Sequence, residues 1–332
     1  MMLKKWQFWL GMVISAVFLY LALKGLNMAK AWDVARNANY EWIAPGVLVY
    51  FVAVWARTWR WHYMLRPIKR IPLADLFPVV VIGYMGNNVY PARIGELLRA
   101  YVLRKRENVS ISSSLATVLV ERVFDGVVML LFVFFSLPFT PMPDWLRQVV
   151  IAGSALFFTA LAFFLILAAS PRLAQRIYVW AIARFLPERL RRPAIGFLDR
   201  FMEGLHSLRS PADVAMIFVT SLVIWLAETV KYWFVMHSFN FEAPFYVLML
   251  MNGVVNLATT IPSSPGYVGT FDAPGIKVLE GFGIDRAVAT SYTLVLHVAL
   301  WLPITLLGFF FVWRESLSWR DFSLATEIKE LA

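Results

Sequence analysis

The sequence predicts an all-α polytopic membrane protein with about six full crossings and two oppositely oriented re-entrant helical hairpins. Three observations carry that expectation. Apolar residues make up 60% of the 332-residue chain and mean hydropathy is +0.65, against the roughly 45–50% apolar content of soluble domains. Several apolar runs approach the ~20 residues that cross a bilayer as a helix, and none shows the alternation of a membrane barrel strand. Basic residues gather in particular loops, which orients the chain.

The first run covers residues 6–23. Lys4 and Lys5 precede it, and Ala29-Lys30-Ala31 imitates a signal-peptidase site. The run is long and that site lies well beyond its end, so it is read as a retained first helix. A second apolar segment leads to Arg57, Arg60, Arg66, Lys69 and Arg70, read as a cytoplasmic loop without acids. The next basic run, Arg99, Arg104, Lys105 and Arg106 with Glu107, falls on the same side. The apolar piece between them, 76–90, is short for a crossing. A hairpin at about 74–106 that enters and leaves by one face satisfies both observations.

Crossings are expected next at 111–137 and 149–169, joined through Pro138, Pro141 and Pro143. The linker 170–212 carries arginines from Arg172 to Arg209, with Ile177, Trp180, Ala181 and Phe185 at helical spacing. It reads as a cytoplasmic amphipathic stretch on the membrane surface. A crossing at 214–236 leads to the nearly neutral region 237–286, where Glu242, Asp272, Glu280 and Asp285 face Lys277 and Arg286. The second hairpin, about 244–280, dips in from this outer side. The last crossing, 287–313, returns to a cytoplasmic tail. Residues 1–332 form a single membrane domain with both termini cytoplasmic.

The net charge of +10 is explained by these loops, so no nucleic-acid partner is expected. The absence of cysteine excludes disulfides and thiolate metal sites. There is no phosphate-binding G-x-x-x-x-G-K-[ST] loop, no H-E-x-x-H and no G-x-S-x-G. No cofactor or metal is expected, and no soluble catalytic domain fits in the loops.

The two hairpins echo one another. The first has Asn87 and Asn88, then Pro91-x3-Gly95-Glu96; the second has Asn252 and Asn256, then Pro265-x3-Gly269, with Asp272 close behind. Leu115-Ala116-Thr117 and Val288-Ala289-Thr290 follow at nearly equal distances. Interrupted apolar segments at corresponding places in two inverted halves point to a transport site near the midplane.

The polar residues each admit two readings. Asn87, Asn88, Asn252 and Asn256 either satisfy broken backbone in the hairpins or touch substrate. Arg93, Glu96 and Arg99, spaced i, i+3, i+6, share one helix face, with a free helix N-terminus close by. They suit a lipid phosphate, or anchor the hairpin to anionic headgroups. Glu121, Arg122 and Asp125 interrupt an apolar helix. Intramembrane charges usually mark function, and a static network with Arg93 or Arg99 is the other reading. Glu228 and Lys231 form an i, i+3 pair, functional or structural. His297, alone in the last helix, reads more as a packing residue than as a proton carrier. In "PSSPGYVGTFD", Pro265, Gly266 and Gly269 permit close backbone approach suited to a headgroup passage. Thr270 is expected to cap the following helix, with Asp272 in its first turn.

Together, "NNVYPARIGELLRAYVLRKR", "VLVERVFDGVVML" and "PSSPGYVGTFD" resemble the flippase-like domain of the lysylphosphatidylglycerol synthase transmembrane family. That family includes stand-alone members of about this size, some associated with hopanoid biosynthesis. The resemblance implies lipid translocation across a bacterial inner membrane. It carries over Asn88, Pro91, Arg93, Gly95, Glu96 and Arg99, then Glu121, Arg122 and Asp125, then Pro265, Gly266 and Gly269. Members often read P-G-G-[IL]-G followed by Glu. Here Tyr267 replaces the second Gly and Asp272 stands near the acidic position. The aminoacyl-transferring domain of the fused synthases is absent from this sequence, so lipid aminoacylation is not inherited.

The expected function is that of a lipid transporter or flippase, not an enzyme. Its substrate would be a polar or anionic membrane lipid, a phospholipid or hopanoid type. A homo-oligomer or a lipid-synthesis enzyme is the partner to consider. A membrane-embedded enzyme acting on a lipid headgroup through Glu96, Glu121 or Asp125 is the second reading, and a non-catalytic scaffold of a lipid-synthesis complex is the third.

Overall fold

Short polar side chains close several helix ends where the apolar runs begin. Ser110 accepts from the Ser113 N–H, Ser210 from Asp213, and Asp285 from Ala287 and Val288, satisfying donors that a helix start leaves free. The computed structural model describes residues 6–90, 93–139 and 144–315, and these contain no strand. The helices are α1 (Trp6–Leu23), α2 (Met28–Arg36), α3 (Ile43–Leu65), α4 (Leu73–Val89), α5 (Ile94–Glu107), α6 (Ile111–Ser136) and α7 (Asp144–Ala169). They continue with α8 (Pro171–Phe185), α9 (Glu188–Gly204), α10 (Pro211–Met236), α11 (Phe245–Ala258), α12 (Asp272–Gly281) and α13 (Arg286–Arg314).

The chain is an all-α polytopic membrane protein. By length and composition, Tyr40–Leu65, Ile151–Ala169, Pro211–Met236 and Arg286–Arg314 can each cross a membrane. Trp9–Leu23 and Met28–Arg36, bent by 87°, make a fifth if taken as one span. Helix α6 is also long, at 26 residues, but carries Glu121, Arg122 and Asp125 within it. At 1.5 Å per residue, α4 is about 25 Å long, α5 and α11 about 21 Å and α12 about 15 Å. Each is shorter than the ~30 Å hydrocarbon core. Helices α8 and α9 occupy the basic linker, and α8 exposes Leu173, Ile177, Trp180 and Phe185.

One expectation is corrected. Arg57 and Arg60, read as loop charges, lie inside α3 and are buried. The long apolar run continues to Leu65, and the two arginines point into the protein.

The packing has an internal two-fold pattern. Helix α3 packs on α10, α4 on α13, and α11 on α6, while α4–α5, α5–α6, α11–α12 and α12–α13 pair within each half. Exchanging α3–α6 with α10–α13 leaves this set of pairings unchanged. Helices α3 and α10 run antiparallel: Trp42 stacks near Phe234, Arg57 meets Glu228, Arg60 meets Ser221 and Tyr63 meets Asp213. Helices α7–α9 lie between the halves in sequence.

Candidate functional site where the two hairpins meet

The first hairpin closes because three glycines let its arms touch. A Cβ on Gly95 would lie 1.9 Å from the Gly83 carbonyl oxygen, and one on Gly86 would lie 2.8 Å from the Gly95 Cα. Pro91 lies outside the described residues. Arg93 precedes α5 in a left-handed conformation, with φ of 55°, so it stands just outside the regular helix while its guanidinium still lies 3.6 Å from Glu96. That backbone is uncommon for a residue with a Cβ. The turn separates the side chains: Arg93 donates to the Thr259 carbonyl of the second hairpin at 3.2 Å, whereas Arg99 reaches Glu121 at 2.7 Å.

Behind the hairpin, Glu96, Glu121, Asp125 and Glu228 each have a cationic partner. Asp125 accepts from Arg60 at 2.8 Å and from the Trp225 indole at 2.9 Å, with Arg122 3.6 Å away. Glu121 takes Arg99 and has Arg60 at 4.0 Å. Glu96 lies 3.4 Å from Arg122 and 3.6 Å from Arg93. Glu228 is held by both Arg57 and Lys231. An unpaired ion costs several kcal/mol to bury, so this pairing is what permits charge at such depth.

The second hairpin is held differently. Asn252 donates to the Trp225 carbonyl and to Thr229, and Asn256 donates back to Asn252. Its break is a short 3-10 turn, Pro265–Tyr267, in which Gly266 and Tyr267 have positive φ, as does Gly269 two residues further on. Glycine at 266 is also required by space, since a Cβ there would lie 2.8 Å from the Trp301 indole nitrogen. The expected cap is corrected: Thr270 donates to the Tyr267 carbonyl, and Asp272 accepts from the Gly269 N–H at 2.8 Å. Gly269 abuts α1, where a Cβ would lie 2.5 Å from the Ser15 carbonyl. It does not line the cavity described next.

A cavity of about 140 Å³ lies where the hairpins meet α3, α6, α10 and α13. Of the predicted residues, Asn87, Asn88, Arg93, Arg122, Glu228, Lys231, Asn256 and Gly266 line it. Glu96 and Arg99 line a smaller neighbouring space of about 10 Å³ beside Asn87 and Arg122. Glu121, Asp125 and Asn252 are buried behind the walls, Pro265 belongs to the turn that forms one of them, and the buried Asp272 opens α12. The Arg93 Nε and Asn87 Oδ1, both on wall residues, are buried without a hydrogen-bond partner.

Several wall residues were missed from sequence. Arg57 carries the signal of a charge beside an apolar run, which reads equally well as a loop residue. Tyr50, Trp225 and Trp301 carried none, because aromatic residues are common in any membrane helix. His297 is not alone: Nδ1 lies 2.8 Å from Asp272 and Nε2 lies 2.7 Å from the Gly266 carbonyl.

A family model described as the lysylphosphatidylglycerol synthase TM region matches residues 8–308. A UPF0104 membrane protein of Methanothermobacter thermautotrophicus is 23% identical over 310 residues, covering 89% of this chain and 92% of that protein. MJ1595, a UPF0104 membrane protein of Methanocaldococcus jannaschii, is 22% identical and covers 90% of this chain and 92% of its own. Glycosyltransferase AglD of Haloferax volcanii is 25% identical across 90% of this chain, which spans 52% of AglD. No solved structure matches.

Proposed function

The chain belongs to the lysylphosphatidylglycerol synthase transmembrane family, and from that premise we propose that it moves a lipid with an anionic, phosphate-like head between membrane leaflets. The observation that carries this reading is the charge of the central cluster. Six cations (Arg57, Arg60, Arg93, Arg99, Arg122 and Lys231) converge with four carboxylates (Glu96, Glu121, Asp125 and Glu228) around a cavity between two broken hairpins. The surplus favours an anion, and guanidinium forks match phosphate oxygens. Arg93 and Arg122 would receive the head while the tails stay in lipid. Tilting of the two short hairpins would open the cavity to one face and then the other.

The re-entrant topology, cytoplasmic termini and placement in a cytoplasmic membrane are parts of this reading. The short hairpin arms and the antiparallel α3–α10 pair support it. The enzymatic reading draws on the name of AglD, of which this chain matches about half. The ion pairing favours transport, since each carboxylate that would serve as acid or base is already engaged by arginine or lysine.

The test is reconstitution. Purified chain in liposomes containing fluorescent phosphatidylglycerol should make the inner-leaflet label accessible to an external quencher. Arg93→Ala should slow this strongly. Chemically altered lipid without exchange would support an enzyme, and neither outcome would leave the scaffold role.

A further inference from the structure

We propose that His297 and Asp272 form a proton-binding site that clamps the tip of the second hairpin, so that movement of this hairpin is coupled to uptake and release of one proton. The argument is a count of donors and acceptors. The two ring nitrogens of His297 face two acceptors, the Asp272 Oδ1 at 2.8 Å and the Gly266 carbonyl at 2.7 Å. The other oxygen of Asp272 is taken by the Gly269 N–H at 2.8 Å. A neutral imidazole has one donor, and an ionised carboxylate has none. Both contacts are hydrogen bonds only when the pair holds one further proton, on the ring or on Asp272. The proton belongs to the pair.

The clamp acts on backbone that resists its own conformation. Residues 266, 267 and 269 have φ of 69°, 60° and 82°, and a side chain at 267 makes such a turn costly. When the proton leaves, either Asp272 or the Gly266 carbonyl loses its donor, and the turn loses one of the bonds that hold it against α13. Histidine suits this role because either ring nitrogen can carry or release a proton. Asp272 is 1% exposed, but His297 lines the central cavity, which gives the proton a polar route. Only N–H and O–H bonds form and break.

The charged groups facing His297 across the cavity are Arg57 on α3, Arg93 before α5, Arg122 on α6, and Glu228 and Lys231 on α10. Tyr50, Tyr84, Tyr232 and the hairpin's own Tyr267 complete the titratable lining. Glu228 is engaged by Arg57 and Lys231, so Asp272 is the acid available to the ring. An anion bound among these cations would weaken their repulsion of a charged ring. Anion and proton would then bind with mutual reinforcement, a linkage that rests on the anionic-headgroup reading, whereas the proton site does not.

Hydrogen–deuterium exchange of the full chain in neutral-lipid nanodiscs, corrected for intrinsic rate, tests the site without any added ligand. Protection of residues 263–271 should fall about tenfold between about pH 5.5 and 8.5. Asp272→Asn should stay protected throughout, because its amide can donate to a neutral ring while its oxygen still accepts from Gly269. His297→Gln should also lose the pH dependence. A flat wild-type profile, or pH dependence retained in Asp272→Asn, overturns the proposal. Adding dioctanoyl phosphatidylglycerol separates the two readings. A midpoint moved to higher pH supports both, and a pH-dependent profile with an unmoved midpoint supports the proton site while counting against the headgroup.

Discussion

Arg99 and Glu121 meet across the α5–α6 contact with Nη2 2.7 Å from Oε2, and the same guanidinium lies 3.8 Å from the centre of the Trp61 ring. Trp61 is itself fixed by donating to Thr117 at 2.9 Å. The first hairpin is therefore attached to the helix bundle through a buried charge whose face and edge are both occupied.

Glu121→Ala should destabilise the protein by about 3–5 kcal/mol, since it leaves buried arginine uncompensated. The double variant Arg99→Leu/Glu121→Leu should recover much of that loss. Thermal unfolding in detergent measures both, and a double variant no more stable than the single one would show that the pair is not the attachment.

Arg93 should behave differently, because it is partly exposed to the cavity and its contacts are longer. Arg93→Ala should slow lipid exchange roughly ten- to a hundredfold, the equivalent of about 1.5–3 kcal/mol for one charge-assisted hydrogen bond. Its melting temperature should change little. Unchanged exchange would remove Arg93 from the path.

Gly95→Ala should prevent the first hairpin from closing, because the added methyl would sit 1.9 Å from a backbone oxygen that cannot turn aside. The expected result is loss of folded yield on size exclusion. Gly153→Ala, where a Cβ meets nothing within 4 Å, is the control that should fold normally.

Lys30 lies 2.7 Å from Asp285 and ties α2 to the start of α13. Its hydrogen bond holds the Asp285 carboxyl below the usual range. A lowered folded-state value means that this contribution is present at neutral pH and is lost as pH falls through that value. Both groups are about half exposed, so the ion pair contributes under about 1 kcal/mol. The cap that Asp285 gives α13 adds about 1 kcal/mol. Asp285→Asn should keep the cap and flatten the acid side of the stability profile, whereas Asp285→Ala should lose both.

The chain has no native cysteine, so single cysteines report sidedness directly. Arg70→Cys and Arg104→Cys should be labelled by an impermeant maleimide from the same face of sealed vesicles. Labelling from opposite faces would make α4 and α5 one full crossing and end the re-entrant reading of the first hairpin.

The sequence disclosed the helices through long apolar runs, and the hairpins through asparagine, proline and glycine placed where such runs stop short. It also disclosed that Glu121, Arg122 and Asp125 needed partners. It did not show which partners, because ion pairs such as Arg60–Asp125 and Arg57–Glu228 join residues 65 and 171 positions apart. Arg57 and Arg60 were misplaced because charge at the end of an apolar run looks the same whether the helix stops before it or continues. His297 was undervalued for a related reason: its partners, Asp272 and Gly266, come to it only after a turn that three positive φ angles make possible.

The exchange pattern of the helix pairs has a further consequence for the transport reading. Its two halves share one pairing scheme, yet their tips differ: one is left-handed at Arg93, and the other is wound through Gly266 to Gly269. Each half is thus a template for a shape the other does not currently hold. Giving residues 43–136 the conformation of 211–314, and the reverse, would generate a conformer related to this one by the internal two-fold and open to the opposite leaflet, with the same scheme of helix pairs. The return stroke of the cycle would be written in the duplicate.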